Sequence, residues 1–134
     1  TIYVMMSDGE CQEGTTWESL LIGAKHKLHN LTVIIDYNKI QALTTLSNGL
    51  PLDDLALKFR AFNWDCDVIE DGHSFEEIID VFQRTSNRNR RKPRSIIANT
   101  TKSKGIKSFE NDPRWHARKL KGEELEIGKK ELGL

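Results

Sequence analysis

The sequence has no excess charge of either sign. Its twenty basic and twenty acidic side chains cancel, so bulk electrostatics give it no reason to hold nucleic acid. It contains no run of 18 apolar residues, which excludes a membrane-spanning helix as a sequence expectation. Nothing at its start has the layout of a secretory signal. Cysteine is scarce. Cys11 and Cys66 are the only two and lack metal-ligand spacing, so the expectation is two free thiols in a reducing cytoplasm. There is no internal repeat and no low-complexity linker. The 134 residues amount to one domain, and plentiful apolar periodicity excludes a disordered acidic chain. The chain opens on Thr1 and runs directly into an apolar stretch, so it is expected to be a piece of something longer.

What is present alternates between two periods. Ile2–Met6 is a short continuous apolar run, expected to be a strand covered on both faces. Trp17, Leu20, Leu21, Ala24 and Leu28 form one helical stripe, expected to end at His29-Asn30. Leu31–Tyr37 is a β-branched strand, and a polar loop runs from Asn38 to Gly49. Leu52, Leu55, Ala56, Phe59 and Phe62 make a second helical stripe, and Asp65–Ile69 reads as an edge strand. Phe75, Ile78, Ile79 and Phe82 make a third helix. Arg84–Arg94 reads as a basic solvated connection, Ser95–Ala98 as a last strand, and Glu123–Leu132 as a terminal helix. Strands alternating with helices predict an α/β fold, three layers with a mostly parallel sheet and right-handed crossovers. In such sheets ligands lie beyond the carboxyl ends of strands. Chemistry is therefore expected after Met6, after Tyr37 and after Ala98.

Two of those segments carry oxygen ligands. The first strand runs into Asp8-Gly9-Glu10, and the second into Asp36-Tyr37-Asn38. Asp8 and Asn38 are 30 residues apart, about one strand–helix–strand repeat, on equivalent strand ends. A carboxylate, a carboxamide oxygen and a loop carbonyl are hard donors that suit Mg²⁺ or Ca²⁺ with a diphosphate completing the shell. The set does not suit zinc. Gly9 lets a backbone N–H approach a phosphate oxygen.

The order of motifs resembles the thiamine-diphosphate motif of the transketolase family. Ser7-Asp8-Gly9-Glu10-Cys11-Gln12-Glu13-Gly14, then Asp36-Tyr37-Asn38-Lys39-Ile40, is similar to the family's G-D-G-E-x-x-E-G followed by D-x-N-K/R-I/L. Ala61-Phe62-Asn63-Trp64, Asp71-Gly72-His73, Ile96–Ile106 and Trp115-His116 continue the resemblance in register along essentially the whole chain. It implies a partial thiamine-diphosphate-binding fold, with residues 1–134 forming the C-terminal part of the diphosphate-binding domain. It implies thiamine diphosphate and Mg²⁺ (or Ca²⁺) as cofactors. Asp8, Asn38 and the Ile40 carbonyl would hold the metal, Gly9 and Asn38 would meet the diphosphate, and Glu10 would belong to the cofactor-binding set. Lys102 would lie near cofactor or substrate, His116 would face the reacting centre, and Glu13 and Glu18 would relay protons at a subunit contact. Cys11 is given no role. The implied activity is transfer of a two-carbon ketol unit from a ketose phosphate to an aldose phosphate. The implied partner is a pyrimidine-binding domain or subunit, in a homodimer or heterotetramer, with the isolated chain inactive or nearly so.

Four departures from the family pattern stand out. Ser7, Ser103 and Ala117 occupy family glycine positions, and Gln41-Ala42-Leu43-Thr44 replaces a D-G turn. A serine where positive φ is required would cost on the order of 1 kcal/mol. Two other readings share some of these residues. A different thiamine-dependent enzyme, of deoxyxylulose-phosphate synthase or 2-oxoacid dehydrogenase type, would share Asp8 and Asn38 but not Lys102 and Trp115-His116 in this register. A non-catalytic domain that binds a partner and no cofactor would be favoured by Ser7.

Overall fold

A computed structural model describes residues 1–42, 44–85 and 90–134. The chain divides into two compact units. One is Thr1–Tyr37 with Leu52–Thr100, the other Asn38–Pro51 with Thr101–Leu134.

The first unit is built on a four-stranded parallel sheet: β1 (Ile2–Ser7), β2 (Leu31–Tyr37), β3 (Asp65–Ile69) and β4 (Arg94–Asn99), in the order β1-β2-β4-β3. Its helices are α1 (Gly14–Lys25), α2 (Leu55–Ala61) and α3 (Phe75–Thr85). Alternate strand residues point to opposite faces. On one face, Trp17 of α1 packs on Phe59 of α2, ring centroids 5.9 Å apart, and the Trp64 indole donates to the Leu20 carbonyl at 2.9 Å. On the other face, Ile78, Val81 and Phe82 of α3 pack with Ile34, Ile69 and Ile96. The three expected layers are therefore present. The chain steps one way from β1 through β2 to β3 and then back to β4, and with a fixed crossover hand the reversal puts α3 on the opposite face.

The spans of β2 and β3 are those expected from sequence, and β3 is an edge strand. Three expectations need correction. β1 is the other edge of the sheet, and Ile2, Tyr3, Val4 and Met5 are exposed rather than covered on both faces. The Tyr3 ring meets Phe82 on one side, at 5.8 Å between centroids. On the other side an open apolar groove of about 440 Å³ lies between β1 and α1, floored by Val4, Met6 and Val33. An apolar run states that a strand tolerates burial; the sheet order decides whether neighbours cover it.

The first helix stops at Lys25, not at His29-Asn30. Lys27 takes a left-handed φ of 49°, and the Lys27 and Leu28 amides return to the Ala24 and Gly23 carbonyls at 3.1 Å each. That pattern satisfies the helix's last carbonyls and turns the chain out of it. Asn63 (φ 65°) ends α2 the same way, with Trp64 N–H donating to the Phe59 carbonyl at 3.2 Å. The helical stripes are also narrower than expected. Leu20 is buried while Leu21 is exposed, and in α3 Val81 is buried while Phe75 and Ile79 face outward.

Arg94 corrects the third expectation. It opens β4, is only 5% exposed, and pairs through its guanidinium with Asp67 of β3. Part of the basic connection, residues 86–89, lies outside the described residues.

The second unit is described by itself. Ile40 and Thr45 form an isolated antiparallel bridge, and Leu46 N–H donates to the Lys39 carbonyl at 3.0 Å. A short 3-10 helix, Pro113–His116, is capped by Asp112, whose carboxylate accepts from Arg114 N–H at 3.0 Å. Its Trp115 packs against buried Phe109, the ring centroids 4.3 Å apart and the planes tilted by 40°. The terminal helix α4 (Glu123–Glu131) falls within its expected span and lays Gly128 against Leu120, Ile106 and Phe109.

Candidate functional site

The first candidate segment begins where β1 ends. Asp8 follows Ser7 directly, is 2% exposed, and precedes a 3-10 turn, Gly9–Gln12. Its carbonyl accepts from Cys11 N–H at 3.0 Å. The Thr16 hydroxyl donates to the Glu10 carbonyl at 2.6 Å, and the Trp17 indole donates to the Cys11 carbonyl at 3.0 Å. A buried carboxylate is thus held on a loop tied down by the helix that follows. Ser7 is not among the residues with positive φ, so serine is not strained at the family's glycine position.

The electrostatics of this corner are acidic. Burial, then Asp8 and Glu10, pushes the Cys11 thiol up to about 12, which keeps it protonated and unreactive. Burial also raises the Tyr37 phenol, with Asp53, Asp8 and Cys11 adding to the effect. Tyr37 and Asp53 are residues that sequence reasoning passed over. Only the fold brings this aromatic into the field of two carboxylates from other segments.

β2 and β4 end beside one another, since Asp36 pairs with Ala98 and Tyr37 with Asn99. The Thr100 hydroxyl donates to Asp36, and Asn99 Nδ2 donates to the Ile69 carbonyl at 3.2 Å. Gly72 N–H donates to the Asn99 carbonyl at 2.7 Å, so the Asp71-Gly72 turn closes against the end of β4. The three segments named from sequence therefore begin from carboxyl ends of parallel strands.

Asn38, Ile40, Lys102 and His116 lie in the second unit. Asn38 Oδ1 accepts from Ile40 N–H at 2.9 Å, a turn that brings the carboxamide and the Ile40 backbone into one short loop. Ile40 is buried. Lys102 is half-buried, and its carbonyl accepts from Asn111 N–H at 3.0 Å. His116 is exposed at the end of its 3-10 helix. Ser103 does hold a left-handed φ, 60°, beside Lys102, whereas Ala117 has φ −136° and does not. Glu13 and Glu18, at the start of α1, are both exposed. Among the described residues no group of three His, Cys, Asp or Glu side chains converges as a metal cluster. The expected donor set contains one carboxylate, one carboxamide and one backbone carbonyl, a chemistry fitted to a hard divalent cation.

Comparison with known proteins bears on the chain as a whole. The family described as "Transketolase, thiamine diphosphate binding domain" matches residues 1–134. The chain is 38% identical over 131 residues to one of the subunits of the apulose-4-phosphate transketolase of Actinobacillus succinogenes, covering 98% of this chain and 46% of that one. It is 33% identical over 119 residues to human transketolase, covering 89% of this chain and 18% of the relative. The crystal structure of Campylobacter jejuni transketolase superposes with a TM-score of 0.86 at 28% identity, over 99% of this chain and 20% of that one. The chain thus spans less than half the length of these relatives.

Proposed function

The chain belongs to the transketolase family through its thiamine diphosphate binding domain, and on that premise we propose that it supplies the metal and diphosphate side of a two-carbon ketol transfer from a ketose phosphate to an aldose phosphate. The observation that carries the reading is the family match along residues 1–134, with buried Asp8 at the carboxyl end of a parallel strand. Asp8, Asn38 and the Ile40 carbonyl would hold Mg²⁺ or Ca²⁺. Hard oxygen donors and a buried carboxylate fit such an ion. Gly9 and Asn38 would meet the diphosphate. Thiamine diphosphate supplies the carbanion-stabilising chemistry when bound.

The protein's own tasks are positioning and proton transfer. His116 would take and return protons at sugar hydroxyls, work suited to imidazole near neutral pH. Lys102 would meet a negative group of cofactor or substrate. Glu13 and Glu18 stand exposed on the loop and helix after Asp8, where a partner could cover them. That partner is a pyrimidine-binding transketolase domain or subunit, in a homodimer or heterotetramer. The Actinobacillus succinogenes relative is itself named as one subunit of its transketolase, which supports a divided enzyme. The chain alone would be inactive or nearly so, and the assembly cytoplasmic.

Calorimetry tests this on the chain combined with a complementary pyrimidine-binding chain. Thiamine diphosphate should bind only with Mg²⁺ present, and Asp8→Ala should weaken binding at least a hundredfold. Binding that is independent of metal, or unchanged in Asp8→Ala, would overturn the assignment.

A further inference from the structure

Ser7 is the residue by which the loop around Asp8 departs from the family's G-D-G pattern. Its side chain closes a reciprocal ring with Glu10. Ser7 N–H donates to Glu10 Oε2 at 2.7 Å, the Ser7 hydroxyl donates to the same oxygen at 2.9 Å, and Glu10 N–H donates to Ser7 Oγ at 3.2 Å. A glycine could make only the first of these bonds. The two residues enclosed by the ring are Asp8 and Gly9. Asp8 is held in a right-handed turn, φ −62° and ψ −33°. The Cys11 thiol reaches back to the Ser7 carbonyl at 3.8 Å, so the loop is tied from its far end as well.

Two of the three bonds run to one oxygen of the Glu10 side chain, so backbone and hydroxyl of Ser7 grip the same atom. They fix the Glu10 side chain on the Ser7 side of the loop. Without the hydroxyl, Glu10 keeps the single bond from the residue 7 N–H, its own N–H loses its acceptor, and the Asp8 backbone is less firmly braced. Preorganised ligands bind more tightly because less ordering accompanies binding. We infer that Ser7 is a positioning residue for the cation: through Glu10 it holds the Asp8 loop ready to receive a divalent metal. The inference rests on the assignment of Asp8 as a metal ligand and adds a role for the serine that replaces the family glycine.

The test is a magnesium titration at fixed thiamine diphosphate, read by calorimetry on the same assembled complex. Ser7→Ala removes both hydroxyl bonds and should weaken apparent magnesium affinity about three- to tenfold. Ser7→Gly should do the same and serves if the alanine variant misfolds. Ser7→Thr should stay within about twofold of the parent, because the hydroxyl is kept. Saturating magnesium should restore parental thiamine diphosphate affinity in Ser7→Ala, which general structural damage would not allow. Amide exchange at Glu10 should accelerate in the alanine variant, because its N–H loses the Ser7 Oγ acceptor. Unchanged magnesium affinity in Ser7→Ala, with Asp8→Ala losing binding, overturns the role of Ser7 alone. So does a Ser7→Thr variant as weak as Ser7→Ala. Retained metal-dependent binding in Asp8→Ala overturns this inference together with the assignment beneath it.

Discussion

The Thr100 hydroxyl donates to the Asp36 carboxylate, joining the carboxyl end of β2 to the residue that follows β4. The bond is side chain to side chain across 64 residues of sequence, reinforced by Thr100 N–H donating to the Tyr37 carbonyl at 3.5 Å. Two residues beyond Asp36 is Asn38, and two beyond Thr100 is Lys102. One contact therefore sets the points from which two candidate site segments depart. Thr100→Val should lower stability by about 1–2 kcal/mol, the cost of removing one hydroxyl donor from a partly buried carboxylate. A double-mutant cycle with Asp36→Ala, followed by urea unfolding, should return a coupling of at least about 0.5 kcal/mol. Strict additivity would show that the bond carries no energy.

Arg94 and Asp67 make a second cross-strand pair, with the arginine nearly fully buried and the aspartate side chain a quarter exposed. Removing one member of a buried pair strands the other charge. Arg94→Met should destabilise the chain by about 2–3 kcal/mol, below the fully buried case because water reaches Asp67. Adding Asp67→Leu should recover part of that loss in the same denaturation assay. A surface-like effect of a few tenths of a kcal/mol would contradict the pairing.

Cys11 links stability to alkaline pH. Its folded-state value, about 12, stands above the ordinary thiol value of 9.0. The unfolded chain therefore releases the proton first. The contribution is complete below pH 9 and is lost as pH rises from there through about 12. Denaturation between pH 8 and 11 should show stability falling, with the Cys11 component absent in Cys11→Ala. Native Cys11 should also resist alkylation at pH 8.5, a reaction readable by mass spectrometry, until the chain is unfolded. Rapid labelling of the folded protein would contradict the burial.

Two backbone positions should respond in opposite directions to exchange with glycine. Ser103 lies at φ 60°, so Ser103→Gly should remove strain and raise stability by up to about 1 kcal/mol. Gly72 is packed so that a Cβ would sit 2.7 Å from the Asn99 carbonyl oxygen. Backbone there cannot yield without disturbing the end of β4, and Gly72→Ala should cost about 1–3 kcal/mol. Thermal unfolding of both variants is the check, and a stabilised Gly72→Ala would refute the close approach.

The corrections to the sequence reading have a common source. Leu31–Tyr37 and Asp65–Ile69 could be delimited as strands because each is a short β-rich run bounded by turn residues. The 30-residue interval from Asp8 to Asn38 was likewise legible, since one strand–helix–strand repeat has a narrow range of lengths. Ser7-x-x-Glu10 has the spacing of a capping box, a signal masked by a family pattern that has glycine at the first position. Lys27 was unreadable as a helix terminator, since left-handed φ is the province of glycine and asparagine.

By its local patterns alone, the chain dictates its α/β class, the loci of its strands and the family motif that carries its candidate oxygen donors. These depend on side-chain period, turn chemistry and spacing, all of which act between near neighbours. The sheet order put β1 at an edge with its apolar residues exposed. It also drew Arg94 out of a basic linker into a buried pair with Asp67, and set Thr100 against Asp36. Those outcomes depend on which strands lie side by side, and that is decided by packing among residues far apart in the chain.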